Sequence, residues 1–262
     1  MASVASVVPL QLSKRTQKPG SASGTAKSKP GSKPKSTPVV RGTGELERDV
    51  QSAVAWLKSH ATRHTLDGMA RYAIPSDNAL GVAVGDIRDL GKQLGRDHEL
   101  AGALWKTGIY EARMLTAFVA DPAQVTPSEM EQWCRDFDSW GICDTLCFHL
   151  FDRTPHAWRK IEKWSDARPE FVKRAAFALL ASVTLHDKRA PDTPFLESLA
   201  LIERAATDER NFVKKAVSWA LRGIARRNAP LKAASVSLAR RLAASPDPAG
   251  RWIGKDVLRH VG

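Results

Sequence analysis

The pentapeptide Phe171-Val172-Lys173-Arg174-Ala175 returns almost unchanged 41 residues later as Phe212-Val213-Lys214-Lys215-Ala216, the second copy running on into Trp219. Both copies lie in segments with apolar residues at helical spacing. A period near 40 is that of two-helix HEAT-type units, which stack into a solenoid because one unit alone cannot bury its apolar face. The repeat therefore predicts an all-α, HEAT-like helical-repeat solenoid. Trp252-Ile253-Gly254-Lys255 follows at an offset of 40 as a weaker third copy, as expected of a terminal unit that caps the stack. Lys and Arg recur with the period, so successive units are expected to line a concave basic surface that can follow a phosphate backbone.

The remaining chain fits this frame. From about residue 44 onward, helical patterns punctuated by Pro and Asp run over 44–65, 85–94, 99–120, 128–138, 140–151, 154–164, 169–185, 194–205, 209–227, 230–243 and 248–261. Thr126-Pro127-Ser128 reads as a helix start with Pro127 at a first helical position. Residues 1–43 differ. They hold eight basic residues, no acidic residue and no aromatic, and are rich in Ser, Gly, Pro and Lys. Such a segment buries too little apolar surface to offset its ordering entropy, so a disordered basic tail is expected ahead of one HEAT-like domain over 44–262. Beyond the tail, 32 basic residues face 28 acidic ones, so only +4 of the net +12 belongs to the repeat domain. The tail reads equally as a polyelectrolyte arm for nucleic acid and as a solubilising extension. Its Lys, Pro and Gly content argues against the amphipathic helix of a transit peptide. No apolar run approaches the roughly 20 residues that span a bilayer, so a soluble intracellular protein with no membrane partner is expected.

Three cysteines, Cys134, Cys143 and Cys147, make an odd count that suits a reducing compartment. Cys143 and Cys147 lie four apart with His149 near, yet nothing completes a tetrahedral set. Core packing is expected there, with no metal site.

Helical-wheel geometry selects two faces. Around Trp219, the residues Val213, Val217, Ala220, Leu221 and Ile224 form one apolar arc, while Lys215, Trp219 and Arg222 form a narrow stripe almost opposite. An aromatic between two cations is a stacking surface for a nucleotide, an interface anchor, or the packing partner of a neighbouring helix. Trp140 and Asp144 share a face, four residues apart. That carboxylate reads as a general base or cation stabiliser, or as a structural acceptor between helices. Lys173 and Arg174 occupy the repeat positions of Lys214 and Lys215 and read as phosphate contacts or as a solvated face. Tyr72 and His98 are lone polar candidates. There is no Walker loop, dinucleotide fingerprint or zinc-finger spacing.

Trp140-Gly141-Ile142-Cys143-Asp144-Thr145, then the first Phe-Val-Lys copy, then Phe212 through Trp219 to Arg222, taken in this order, resemble the DNA alkylation repair enzyme family, the AlkD-type alkylpurine DNA glycosylases built from HEAT-like repeats. The resemblance spans about residues 60–262 and includes Leu104-Trp105 and Tyr110-Glu111-Ala112-Arg113. It implies a cofactor-free monomer that hydrolyses the N-glycosidic bond of cationic N3- or N7-alkylated purines in duplex DNA without flipping the base. It further implies a cytoplasmic, nucleoid-associated location. By the same resemblance, Asp144 is the catalytic carboxylate, Trp140 and Trp219 line the lesion's sugar, and Arg174 contacts phosphate. Lys173, Lys214, Lys215, Arg222 and Tyr72 complete the expected DNA-binding set. A HEAT-like DNA-binding or scaffold protein with little glycosylase activity is the competing expectation, and a protein adaptor, which would present an apolar concave face, is a third.

Overall fold

The structure, a computed structural model, describes residues 45–262; the basic tail expected over 1–43 lies outside the described residues. Thirteen α-helices and two short 3-10 turns account for the described part, which contains no strand. They are α1 (Leu46–Ser59), α2 (Arg63–Met69), α3 (Val84–Leu94), α4 (His98–Lys106), α5 (Tyr110–Val119), α6 (Pro127–Arg135) and α7 (Trp140–His149), followed by α8 (Ala157–Ser165), α9 (Glu170–His186), α10 (Thr193–Ala205), α11 (Asn211–Ala225), α12 (Ala229–Ala243) and α13 (Pro248–Val261). The 3-10 turns are Ala70–Tyr72 and Phe151–Arg153. No described helix is long and apolar enough to cross a membrane.

Two expected helices are each broken in two. The segment 99–120 divides at Thr107-Gly108, where Gly108 takes φ of +71°, a conformation that ends a helix and that only glycine adopts without strain. The segment 44–65 divides after Ser59, and the Thr62 side chain accepts from the Thr65 amide to start α2. Thr126 and Glu129 form a reciprocal capping box ahead of Pro127, as the sequence signature at α6 suggests.

Helices α3, α5, α7, α9, α11 and α13 pack one against the next as a continuous layer. Helices α4, α8, α10 and α12 pack against α5, α9, α11 and α13, so each unit is a helix pair of the HEAT type. α9 lies between α7 and α11, with α8 behind it. It is buried accordingly: Val172 and every residue from Arg174 to Thr184 are buried, which explains its apolar character all round. The repeat is visible in contact. The rings of Phe171 and Phe212, one at each helix start, lie 5.5 Å apart. The Lys214 ammonium sits 5.1 Å from the centre of the Trp252 ring, so α11 and α13 also meet at this residue of the third copy.

Candidate functional site

The face of α7 that carries Trp140 and Asp144 continues four residues later to Phe148. Along the axis these positions are about 6 Å apart. Asp144 points across the layer to α9, where Arg174 clasps it with two parallel bonds: Nε donates to Oδ1 at 2.9 Å and Nη2 to Oδ2 at 2.7 Å. The third guanidinium nitrogen donates to the Phe212 carbonyl at 2.7 Å, which ties the clasp to the start of α11. Arg174 is 5 % exposed, whereas 17 % of the Asp144 side chain reaches the surface. Burial pushes the Asp144 carboxyl above its ordinary value and the Arg174 charge opposes that shift. Burial disfavours the Arg174 cation, but Asp144 outweighs it and holds the guanidinium charged. The outcome is an aimed carboxylate with a buried counter-ion beneath it.

Each indole is fixed by a different device. Trp140 donates its Nε1 proton to the Tyr72 carbonyl at 2.8 Å. That carbonyl ends the 3-10 turn Ala70–Tyr72, and the loop that follows is anchored by Glu111, a buried carboxylate that accepts from the amides of Leu80 (2.9 Å), Gly81 (2.7 Å) and Val82 (3.3 Å). The Tyr110 amide adds a bond to the Asn78 carbonyl at 2.9 Å. The Tyr110 hydroxyl lies where a Cβ on Gly141 would be, so glycine after Trp140 is required for this tyrosine to lean on α7. Burial pushes the Tyr110 phenol well up, with the charges of Glu111, Asp138 and Asp144 acting in the same direction, and the ring therefore stays neutral. Trp219, from α11, stacks face to face on Phe148 of α7, with centroids 4.7 Å apart and planes within 5°. α9 runs between those helices and carries the fully buried Ala178 at the repeat position of Trp219. Phe148 in turn packs edge-on against His186, whose Nδ1 shares the Asp152 carboxylate with the Ser182 hydroxyl.

The structure thus gathers Trp140, Asp144, Arg174 and Trp219 on neighbouring helices, and brings in Tyr72 through its backbone. The Tyr72 side chain itself is 62 % exposed. Several of the cations expected to bind DNA have protein partners. Arg174 is turned inward, because all three of its nitrogens have protein acceptors, and it supports Asp144 rather than facing phosphate. Lys173 pairs with Asp208 at 3.2 Å. Lys214 covers Trp252, and Lys215 is half-buried. The Arg222 Nε lies 3.8 Å from Asp256, and burial lowers its pKa. Trp219 takes the packing role as well, being half-buried against Phe148. His98 pairs with Glu129 at 3.0 Å on α6. Cys134, Cys143 and Cys147 are buried thiols, and Sγ of the latter two donates to the carbonyls of Phe171 and Ala175. Among the described residues, no three His, Cys, Asp or Glu side chains group as a metal site.

Sequence reasoning missed Phe148 and Glu111. Phe148 was one further step along the Trp140–Asp144 stripe and legible on that basis. Glu111 lies within the Tyr110–Arg113 stretch of the resemblance, but its anchoring role had no signal, since the amides it holds lie about 30 residues away with no periodic pattern.

The stacked helix pairs define a HEAT-like helical-repeat protein. The sequence profile of the family described as DNA alkylation repair enzyme matches residues 53–242, and the chain belongs to that family. Among solved structures, one is similar with a TM-score of 0.68 and 18 % identity over 81 % of this chain and 96 % of that one. It is described as belonging to a new family of proteins related to the HEAT-like repeat DNA glycosylases with affinity for branched DNA structures. A designed armadillo repeat protein is similar with a TM-score of 0.35 and 12 % identity over 84 % of this chain and 96 % of that one. No curated protein matches the chain.

Proposed function

We propose that the protein is a DNA repair glycosylase that hydrolyses the N-glycosidic bond of cationic N3- or N7-alkylated purines in duplex DNA. The observation that carries this reading is the Asp144 carboxylate, clasped from below by Arg174 and flanked along α7 by Trp140 and the Phe148–Trp219 stack. Alkylation at N3 or N7 already makes the base a good leaving group. What remains is to stabilise an oxocarbenium-like sugar and to position water. A preorganised carboxylate supplies the opposing charge, and it is worth more in a partly dry site than in water. The indole faces add attraction for the same cation. Asp144 needs no proton to give, so one carboxylate suffices. A lesion held within the duplex, rather than flipped into a pocket, is part of this reading.

The test is release of 7-methylguanine from methylated duplex DNA. Wild-type protein is expected to release it, and Asp144→Asn to lower the rate at least 10²-fold while DNA affinity changes less than about twofold. Absence of release by wild type on several alkylated substrates would overturn the enzyme reading, and an unchanged rate in the variant would overturn the role of Asp144. The second reading is a DNA-binding repair protein without glycosylase activity. It is favoured by the completeness of the Arg174 clasp, which partly neutralises Asp144, and it expects DNA binding with no release.

A further inference from the structure

At the end of α7 opposite Trp140, where α3, α5 and α7 all terminate, a cavity of about 280 Å³ opens. Its walls are cationic: Arg88 and Lys92 come from α3, Arg96 follows α3, and Arg153 lies in the 3-10 turn after α7. Two rings complete it, Phe118 of α5 and His149 of α7, with centroids 4.8 Å apart and planes tilted by 42°. α3 closes on this wall because Gly91 has no Cβ to strike Phe118. No carboxylate is among the described residues that line the cavity.

The nearby acids compensate this charge only in part. Lys92 pairs with Asp89 at 2.8 Å, and the Arg153 Nε is 3.9 Å from Asp152. Arg96 caps α5 through the Ala120 carbonyl at 2.5 Å, a role that helix C-termini commonly give to cations. Capping does not explain the exposed Arg88 and Arg153. The cations also crowd each other. Burial lowers the pKa of Arg96, with the Arg153 charge adding and Asp121 opposing. Burial lowers that of His149 too, with Arg153, His186 and Arg88 adding and Asp152 opposing. An anion placed here relieves that repulsion.

We propose that this cavity binds one phosphate-bearing nucleotide: an unpaired, 5′-phosphorylated nucleotide at a DNA strand end, or a free mononucleotide of the same chemistry. Its volume of about 280 Å³ lies just below the roughly 300 Å³ at which ligand pockets begin, a size that suits a single nucleotide and not a duplex. Guanidinium groups match phosphate oxygens in pairs, and the Phe118–His149 rings offer a base a stacking partner. The strand-end source rests on the DNA-repair reading above, while the free-nucleotide source does not.

Two arms separate the sources, both with the full chain. In the first, dAMP is titrated calorimetrically against wild type and against the double variant Arg88→Gln/Arg153→Gln. Both positions are exposed, and an unchanged melting temperature confirms that the variant is folded. Saturable binding is expected, weakened about tenfold in the variant and about tenfold weaker for inorganic phosphate. No saturable dAMP binding overturns the proposal, and equal binding of inorganic phosphate overturns the nucleotide assignment. In the second, a blunt, unphosphorylated duplex is compared with the same duplex bearing one unpaired 5′-phosphorylated nucleotide. Wild type is expected to prefer the latter about tenfold, the variant to lose the preference, and 7-methylguanine release from the blunt duplex to stay within about twofold. Equal affinity for the two duplexes overturns the strand-end source. Failure to bind any DNA defeats the DNA reading, while the dAMP titration still decides the cavity.

Discussion

A carboxylate steadies a developing cation best when it is ionised and already aimed; at residue 144 the aim comes from Arg174, whose charge also opposes the upward shift that burial imposes. The fork fixes the plane of the carboxyl group, and the bond to the Phe212 carbonyl fixes the fork. Arg174→Met removes the cation and leaves Asp144 buried without a partner, a change that costs about 3–5 kcal/mol in comparable pairs. A clear drop in melting temperature is expected, together with loss of base release. Arg174→Lys keeps a charge but cannot grip both oxygens and the Phe212 carbonyl in one plane. It is expected to recover much of the stability and little of the single-turnover rate. If the lysine variant turned over as fast as wild type, the geometric role of the fork would be wrong and only its charge would matter. Trp140 and Asp144 were legible as a pair because helical spacing alone puts them on one face. Their partner was not, since nothing in the spacing of Arg174 distinguishes a side chain turned inward from its exposed-looking repeat mate Lys215.

At the scale of helices, the units are joined by polar clips between equivalent loops as well as by apolar packing. Asp208, in the loop before α11, accepts from Arg210 Nε at 2.9 Å and Nη2 at 2.6 Å, and pairs with Lys173 of α9 at 3.2 Å. Arg210 also donates to the Arg168 carbonyl before α9 at 2.7 Å, so one cluster joins two successive helix starts. Bonding from Arg210, then Lys173, holds the Asp208 carboxyl down to about 2, against an ordinary value of 3.8. A depressed folded value stabilises the native state above the ordinary pKa and loses that contribution as pH falls through the folded one. The window is therefore about pH 4 down to about pH 2. Asp208→Asn is expected to cost about 1–2 kcal/mol at neutral pH, after allowance for solvent screening, and to flatten the fall in stability across that window. Chemical denaturation at pH 7 and pH 3 checks this: an equal loss at both values would rule out the titration argument. The helices themselves were readable from their periodicity. Their interruptions were less so, because the break at Gly108 and the Glu111 anchor depend on which loop comes to lie against α5, and that is decided by packing between units.

For the whole molecule, the repeat period led directly to the stacked helix pairs, but the charge is distributed in a way that the period does not describe. Residues 1–43 carry eight of the 40 basic residues and none of the 28 acidic ones. Within the repeats, Arg174 and Lys173 are tied to Asp144 and Asp208, so recurrence of Lys and Arg along the sequence overstates the positive charge available to a phosphate backbone. Each cation that displaces counterions from duplex DNA steepens the fall of log affinity with log salt by about 0.9. Removing residues 1–43 lowers the net charge from +12 to +4 and is expected to reduce that slope by up to about 7. Release of 7-methylguanine at saturating protein is expected to be unchanged, since Asp144, Trp140 and Trp219 all lie on α7 and α11. Binding titrations of both forms between low and physiological salt decide the matter. An unchanged slope would mean that residues 1–43 do not meet the backbone and that cations on the repeats carry the non-specific affinity. A slope that falls together with the single-turnover rate would mean that the same residues also help to place the lesion against Asp144.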